Sequence, residues 1–201
     1  MGVLAYGELG SFERHAADAA SAPTLQDKVS LAAMAAVEHR HFEQLCDFLR
    51  GQGHDPVAAM APFAPAMDAF HASMAPRDWL EGIMKSYVGD GITADFYREM
   101  SVYVDPETAA LVTAVVQDSQ KSDYAAQRLR AAIEHDPKVA GRLALWGRRL
   151  MGELIGQATL VAGSRPAMSA LFAQHAAEVD GLVNRLTVAH SRRMDAIGLA
   201  S

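Results

Sequence analysis

Several common ways of stabilising or anchoring a chain are missing here. Cys46 is the only cysteine, so there is no intrachain disulfide and no cysteine metal cluster. Aromatic residues make up 7% of the chain and β-branched clusters are rare, which leaves little material for sheets. No segment approaches the roughly 18 to 20 uninterrupted apolar residues of a membrane span. Positive charge is not in excess: 18 Lys and Arg face 24 Asp and Glu, for a formal charge of −6. That balance argues against a broad nucleic-acid footprint and leaves only a local basic patch open. Met1 to Tyr6 carries no basic region and too short an apolar run for a signal peptide. It also lacks the Ser or Thr of a myristoylation site. A soluble, cytoplasmic protein is expected.

Alanine, leucine and methionine are plentiful, and they favour helices. A chain of 201 residues suffices for one domain with a sizeable core, or a core bundle plus an added hairpin. The first helix is expected to run from near the start to about Ala20. After the turn at Ser21–Pro23, Thr24 with Asp27 three residues on resembles a capping box. A second helix follows from about Leu25 to Arg50 and stops at Gly51-Gln52-Gly53. Residues 54–75 are too apolar for a solvated linker (Met60, Phe63, Met67, Phe70). They are expected to cross over the bundle, with a short helix in their second half. A third helix is expected from about Pro76 to Tyr103. Asp105-Pro106 and Asp136-Pro137 are stop-and-restart signals, with Asp as N-cap and Pro at the first helical position. They start a fourth helix to about His135 and a fifth to about Gly163. Ser164-Arg165-Pro166 starts a sixth.

The inward stripes of the first four helices carry charge where apolar residues belong. In the second helix Leu31, Met34, Glu38, His41, Leu45 and Phe48 share one face. Glu38 and His41 sit at its centre as Glu-x-x-His. In the first helix Glu8 lies in the stripe Ala5, Glu8, Phe12, His15, Ala19. In the third, Asp90 lies in Leu80, Ile83, Tyr87, Asp90, Ala94, Tyr97. In the fourth, Asp118 and Lys121 occupy the centre as Asp-x-x-Lys. Burying such groups is expensive unless something pairs with them. In an antiparallel hairpin, residues equally far from the turn lie at one height. Glu8 and Glu38 are centred on Pro23, in the first turn, and Asp90 and Asp118 on Val104, in the second. The long crossover lets both hairpins bring these acids to one place. One acid from each of two helices, and an acid plus a residue three further on from each of the other two, is the ligand plan of di-iron carboxylate bundles. Carboxylates and imidazoles suit iron or manganese.

Three stretches carry a resemblance that agrees with this plan: Ala5 to Leu9, Trp79 to Gly82 continuing through Tyr87 to Tyr97, and Asp136 to Trp146. They resemble the ferritin-like superfamily. More closely, they are similar to its actinobacterial branch related to tRNA-(2-methylthio-isopentenyl-adenosine) hydroxylase, the MiaE-like proteins. The resemblance implies an all-α, ferritin-like four-helix bundle of two antiparallel hairpins with a long crossover, extended by two C-terminal helices. Residues 1–135 would form the core and 136–201 a helical hairpin packed on it as one compact domain. It also implies a non-haem di-iron oxidoreductase, a hydroxylase, with a centre at Glu8, Glu38, His41, Asp90, Asp118 and residue 121. Residue 121 departs from that pattern, with Lys121 where a histidine is expected. A protonated lysine cannot ligate a metal.

Two readings follow. One is an altered site holding one or two iron or manganese ions, with Glu8, Glu38, Asp90 and Asp118 as carboxylate ligands and His41 as the nitrogen ligand, or a single ion kept near Glu8, Glu38 and His41. The other is a metal-free, degenerate ferritin-like binding or structural protein, whose core acids are paired by Lys121 through charge-assisted hydrogen bonds. A dimer through the apolar stripes of the last two helices fits both. tRNA enters as a partner through the resemblance alone, since the net charge does not support it. Among other candidates, His15 reads as a core histidine bonded to a neighbour, and Tyr87 as a buried tyrosine satisfied by a carboxylate. Glu81 and Asp95 read as solvated or surface-paired acids. Lys138, Arg142, Arg148 and Arg149 read as an exposed helix face.

Overall fold

The computed structural model describes residues 1–116, 120–163 and 176–199. Among these residues the chain is all-α, as expected. It divides into two compact units, Met1–Trp79 and Leu80–Ser201.

The first unit is a helical hairpin with two short helices laid on it. Helix α1 spans Gly2–Ala20 and α2 spans Leu25–Gly51. The turn between them is fixed by the expected cap. The Thr24 hydroxyl accepts the Asp27 backbone N–H at 3.1 Å and donates to Asp27 Oδ2 at 2.7 Å, which satisfies one of the free N–H groups that every helix start exposes. The stripes turn inward as read: Ala5, His15 and Ala19 of α1 are buried, and so are Leu31, Met34, Glu38 and Leu45 of α2. The crossover holds two short helices where one was expected, α3 (Pro56–Met60) and α4 (Ala64–Ser73). The signal for α3 is in the sequence. Asp55-Pro56 repeats the Asp-Pro start seen twice later, and the Asp55 carboxylate accepts the N–H groups of Val57 and Ala58.

The glycines of α1 allow close neighbours, and those neighbours come from the crossover. A side chain at Gly2 would strike the carbonyl of Ala59, and one at Gly10 would touch His71 at 3.5 Å. Two side-chain bonds run from α1 to α4. The Tyr6 hydroxyl donates to Asp68 at 2.6 Å, and Arg14 lies 3.2 Å from His71 Nε2. The Asp68 carboxylate pushes the Tyr6 phenol up to about 12, because ionising the phenol would break that bond.

The second unit is organised on α5 (Trp79–Met100), which starts three residues later than expected and ends in a 3-10 turn, Ser101–Tyr103. Every residue from Glu81 to Val88 is buried, so this stretch is enclosed on all faces. Then come α6 (Pro106–Val116), α7 (Gln120–His135), α8 (Lys138–Gly163) and α9 (Ala176–Asp195). The Asp-Pro starts hold: Asp105 accepts from Thr108 N–H at 2.9 Å and Asp136 from Lys138 N–H at 3.1 Å. The expected start of the sixth helix at Ser164-Arg165-Pro166 lies outside the described residues.

Two clusters tie this unit together. Gly147 of α8 lets Met84 of α5 and Met194 of α9 meet, since a Cβ there would stand 2.7 and 2.8 Å from their methyl groups. Arg193 of α9 bonds Asp95 of α5 at 2.6 Å, and its side chain crosses Gly91, where a Cβ would collide with it. Its backbone carbonyl accepts the Tyr87 hydroxyl at 2.9 Å. That corrects the expected carboxylate partner of Tyr87. Burial pushes the Tyr87 phenol up. The stripe residues Leu143 and Leu150 of α8 and Leu182 and Leu186 of α9 are buried within the chain. Among the described residues, the exposed large apolar side chains of α8 are Leu145 and Leu160.

Candidate metal centre

The hairpin of the first unit brings Glu8, Glu38 and His41 together. Glu8 comes from α1. Glu38 and His41 lie one turn apart on α2, on the face turned toward α1. Each offers one ligand atom, and these atoms all lie within 4.8 Å of one another. His41 Nδ1 is 3.4 Å from Glu8 Oε2 and 4.0 Å from Glu38 Oε2. Glu38 is 1% exposed, while Glu8 and His41 are 13% exposed. His15, two turns beyond Glu8 on α1, is fully buried, and its Nδ1 stands 3.7 Å from Glu38 Oε1. Glu38 therefore has an imidazole on either side, one facing each oxygen.

These separations match what a metal ion needs. Donors held about 2.1 Å from one ion stand about 3 to 4 Å from each other. Hydrogen-bonded pairs would be closer, near 2.7 to 2.9 Å for a charged contact. Two carboxylates and imidazole nitrogen form a borderline-hard set suited to divalent iron, manganese or zinc. Burying two carboxylates this close is costly, and a dication would offset that cost. The donor set fits a metal by chemistry and by spacing.

The remaining sequence candidates belong to the second unit's stretch of the chain. Asp90 is half-buried on α5 of the second unit, between Gly89 and Gly91. Asp118 and the side chain of Lys121 lie outside the described residues. Asp95, read as a solvated or surface-paired acid, binds Arg98 at 2.7 Å and Arg193 at 2.6 Å.

Glu81 is not the solvated or surface-paired acid expected from the sequence. It is 0% exposed and forms an ion pair with Arg142 at 2.8 Å. Its backbone carbonyl accepts the indole N–H of Trp146 at 3.1 Å. Arg142 therefore leaves the basic face to meet a buried acid of α5, while Arg148 and Arg149 stay exposed, Arg149 over the Trp146 ring at 5.6 Å. Sequence reasoning passed over Glu81 because most helix glutamates are solvated or held in surface pairs. The available signal was its apolar flanks, Leu80 and Gly82-Ile83-Met84.

An all-α chain with inward acids and a Glu-x-x-His pair on a helical hairpin is of the ferritin-like class. Residues 1–175 match the family model described as the ferritin-like domain of actinomycetes. The chain belongs to that family. No curated protein matches it. Among the described residues, no helix is long and apolar enough to cross a membrane.

Proposed function

We propose that this protein is a metal-dependent, MiaE-like member of its family, a non-haem iron oxidoreductase with an altered site. One observation carries the reading: Glu8, Glu38 and His41 converge on the α1–α2 hairpin with the spacing of donors to one ion. Glu38 and Glu8 would hold the ion by carboxylate oxygen and His41 by nitrogen. Iron bound there would supply oxygen-dependent redox chemistry. The chain's own part is to bind, orient and shield. Glu38 is held at 1% exposure, which keeps competing water from its oxygens. Glu8 and His41 keep a little exposure, which leaves a route for a small ligand.

The resemblance adds Asp90 and Asp118 as further candidate carboxylates, and Lys121 stands where its pattern has a second nitrogen ligand. Manganese is the other ion that the donor set suits. A MiaE-like enzyme would act in the cytoplasm. tRNA is the substrate suggested by resemblance, and the net charge of −6 does not favour it. A dimer through the C-terminal helices would use the exposed Leu145 and Leu160, because Leu143, Leu150, Leu182 and Leu186 of the stripes are already buried.

The test is oxygen uptake by protein loaded anaerobically with Fe2+. Uptake in proportion to bound iron, lost in Glu38→Gln, is the expected result. Iron that binds and does not react would remove the oxidase reading and leave a metal-binding protein. No binding would leave the metal-free binding or structural protein.

A further inference from the structure

We propose that His15 is a ligand of the hairpin site, so that α1 and α2 alone provide two carboxylates and two imidazoles. This rests on the metal reading above and goes beyond it, because it identifies a nitrogen donor outside the Glu-x-x-His plan. His15 lies on α1 two turns from Glu8, on the same inward face. It is 0% exposed, and its Nδ1 is 3.7 Å from Glu38 Oε1. For these two atoms that distance is too long for a hydrogen bond and right for two donors on one ion. The other oxygen of Glu38 faces His41 Nδ1 at 4.0 Å. Glu38 is thus placed to share metal with both imidazoles, either on one ion or as a bridge between two. Imidazole nitrogen is also the commonest protein ligand to such metals. The site would then recover from α1 the nitrogen that Lys121 withholds.

The experiment is electron spin-echo envelope modulation on the full chain loaded with Mn2+, which counts directly bound imidazole nitrogens. Two in the wild type, falling to one in His15→Gln and to one in His41→Gln, is the expected result. A single nitrogen in the wild type, lost only in His41→Gln, would overturn the role of His15 and leave the metal reading intact. A wild type that takes up no Mn2+ or Fe2+ would overturn both. If His15→Gln does not fold, the wild-type count of two or one still decides. In a Mn2+ titration His15→Gln is expected to weaken binding about 100-fold, at or beyond the upper end of what an outer-sphere partner costs.

Discussion

Among the described residues two glutamates are buried almost completely, and they are accommodated in different ways. Glu81, in the second unit, meets a guanidinium from Arg142 at 2.8 Å. The chain itself supplies a permanent cation for it. Glu38, in the first unit, faces the imidazoles of His15 and His41 at 3.7 and 4.0 Å. Imidazoles are neutral donors over much of the physiological range and are common metal ligands. A buried acid is therefore not in itself a sign of a metal site. The groups that face it, and their distance, separate a structural ion pair from a set of donors.

The largest effect that would break this contrast is on metal uptake. Glu38→Gln keeps the shape and removes the charge, so bound metal should fall from one or two ions per chain to none. The metal-free variant should be at least as stable as metal-free wild type, because a buried carboxylate has been replaced by a neutral amide. Metal analysis together with urea denaturation checks both halves. A marked loss of stability would show that Glu38 is matched as Glu81 is.

Arg142→Ala should behave in the opposite way. It strands a buried carboxylate, so the loss should be about 2 to 3 kcal/mol, less than for a fully enclosed pair because Arg142 keeps contact with solvent. Metal content should not change. Denaturation midpoints and metal analysis on the same sample read this out.

Thr24→Ala probes the turn that sets Glu8 opposite Glu38. Loss of the cap should cost about 1 kcal/mol and weaken metal binding only slightly, as α2 is 27 residues long and well packed.

A smaller, pH-dependent effect belongs to His190 in the second unit, 3% exposed, with neither ring nitrogen hydrogen-bonded among the described residues. Burial first, then the charge of Arg193, pushes its imidazole below the ordinary value of 6.5. The folded state thus binds fewer protons than the unfolded state below that pH. Stability should fall as the pH drops below 6.5 toward the lowered folded value, and recover as it rises. His190→Leu should flatten that part of the stability profile.

Much of the first unit was legible in the sequence, because local rules decide it. Thr24 with Asp27 marks a helix start by itself, and the stripe of α2 announces which face turns inward. The shared midpoint of Glu8 and Glu38 on Pro23 places them at one height with no further information. The second unit was harder to read. Glu81 and Arg142 are 61 residues apart, and no periodicity says which two helices will touch. Tyr87 is satisfied by a backbone carbonyl, a group that every residue carries and no pattern reveals. His15 was visible as a core histidine, but its distance to Glu38 depends on how two helices pack, and spacing along one helix does not contain it.

The most direct test of the account is the metal content of the full chain, purified from cells grown with iron and manganese and never exposed to chelators. The account predicts one or two ions per chain, removed in parallel by Glu38→Gln and His41→Gln. A well-folded protein that carries no metal and refuses added Fe2+ and Mn2+ would contradict it.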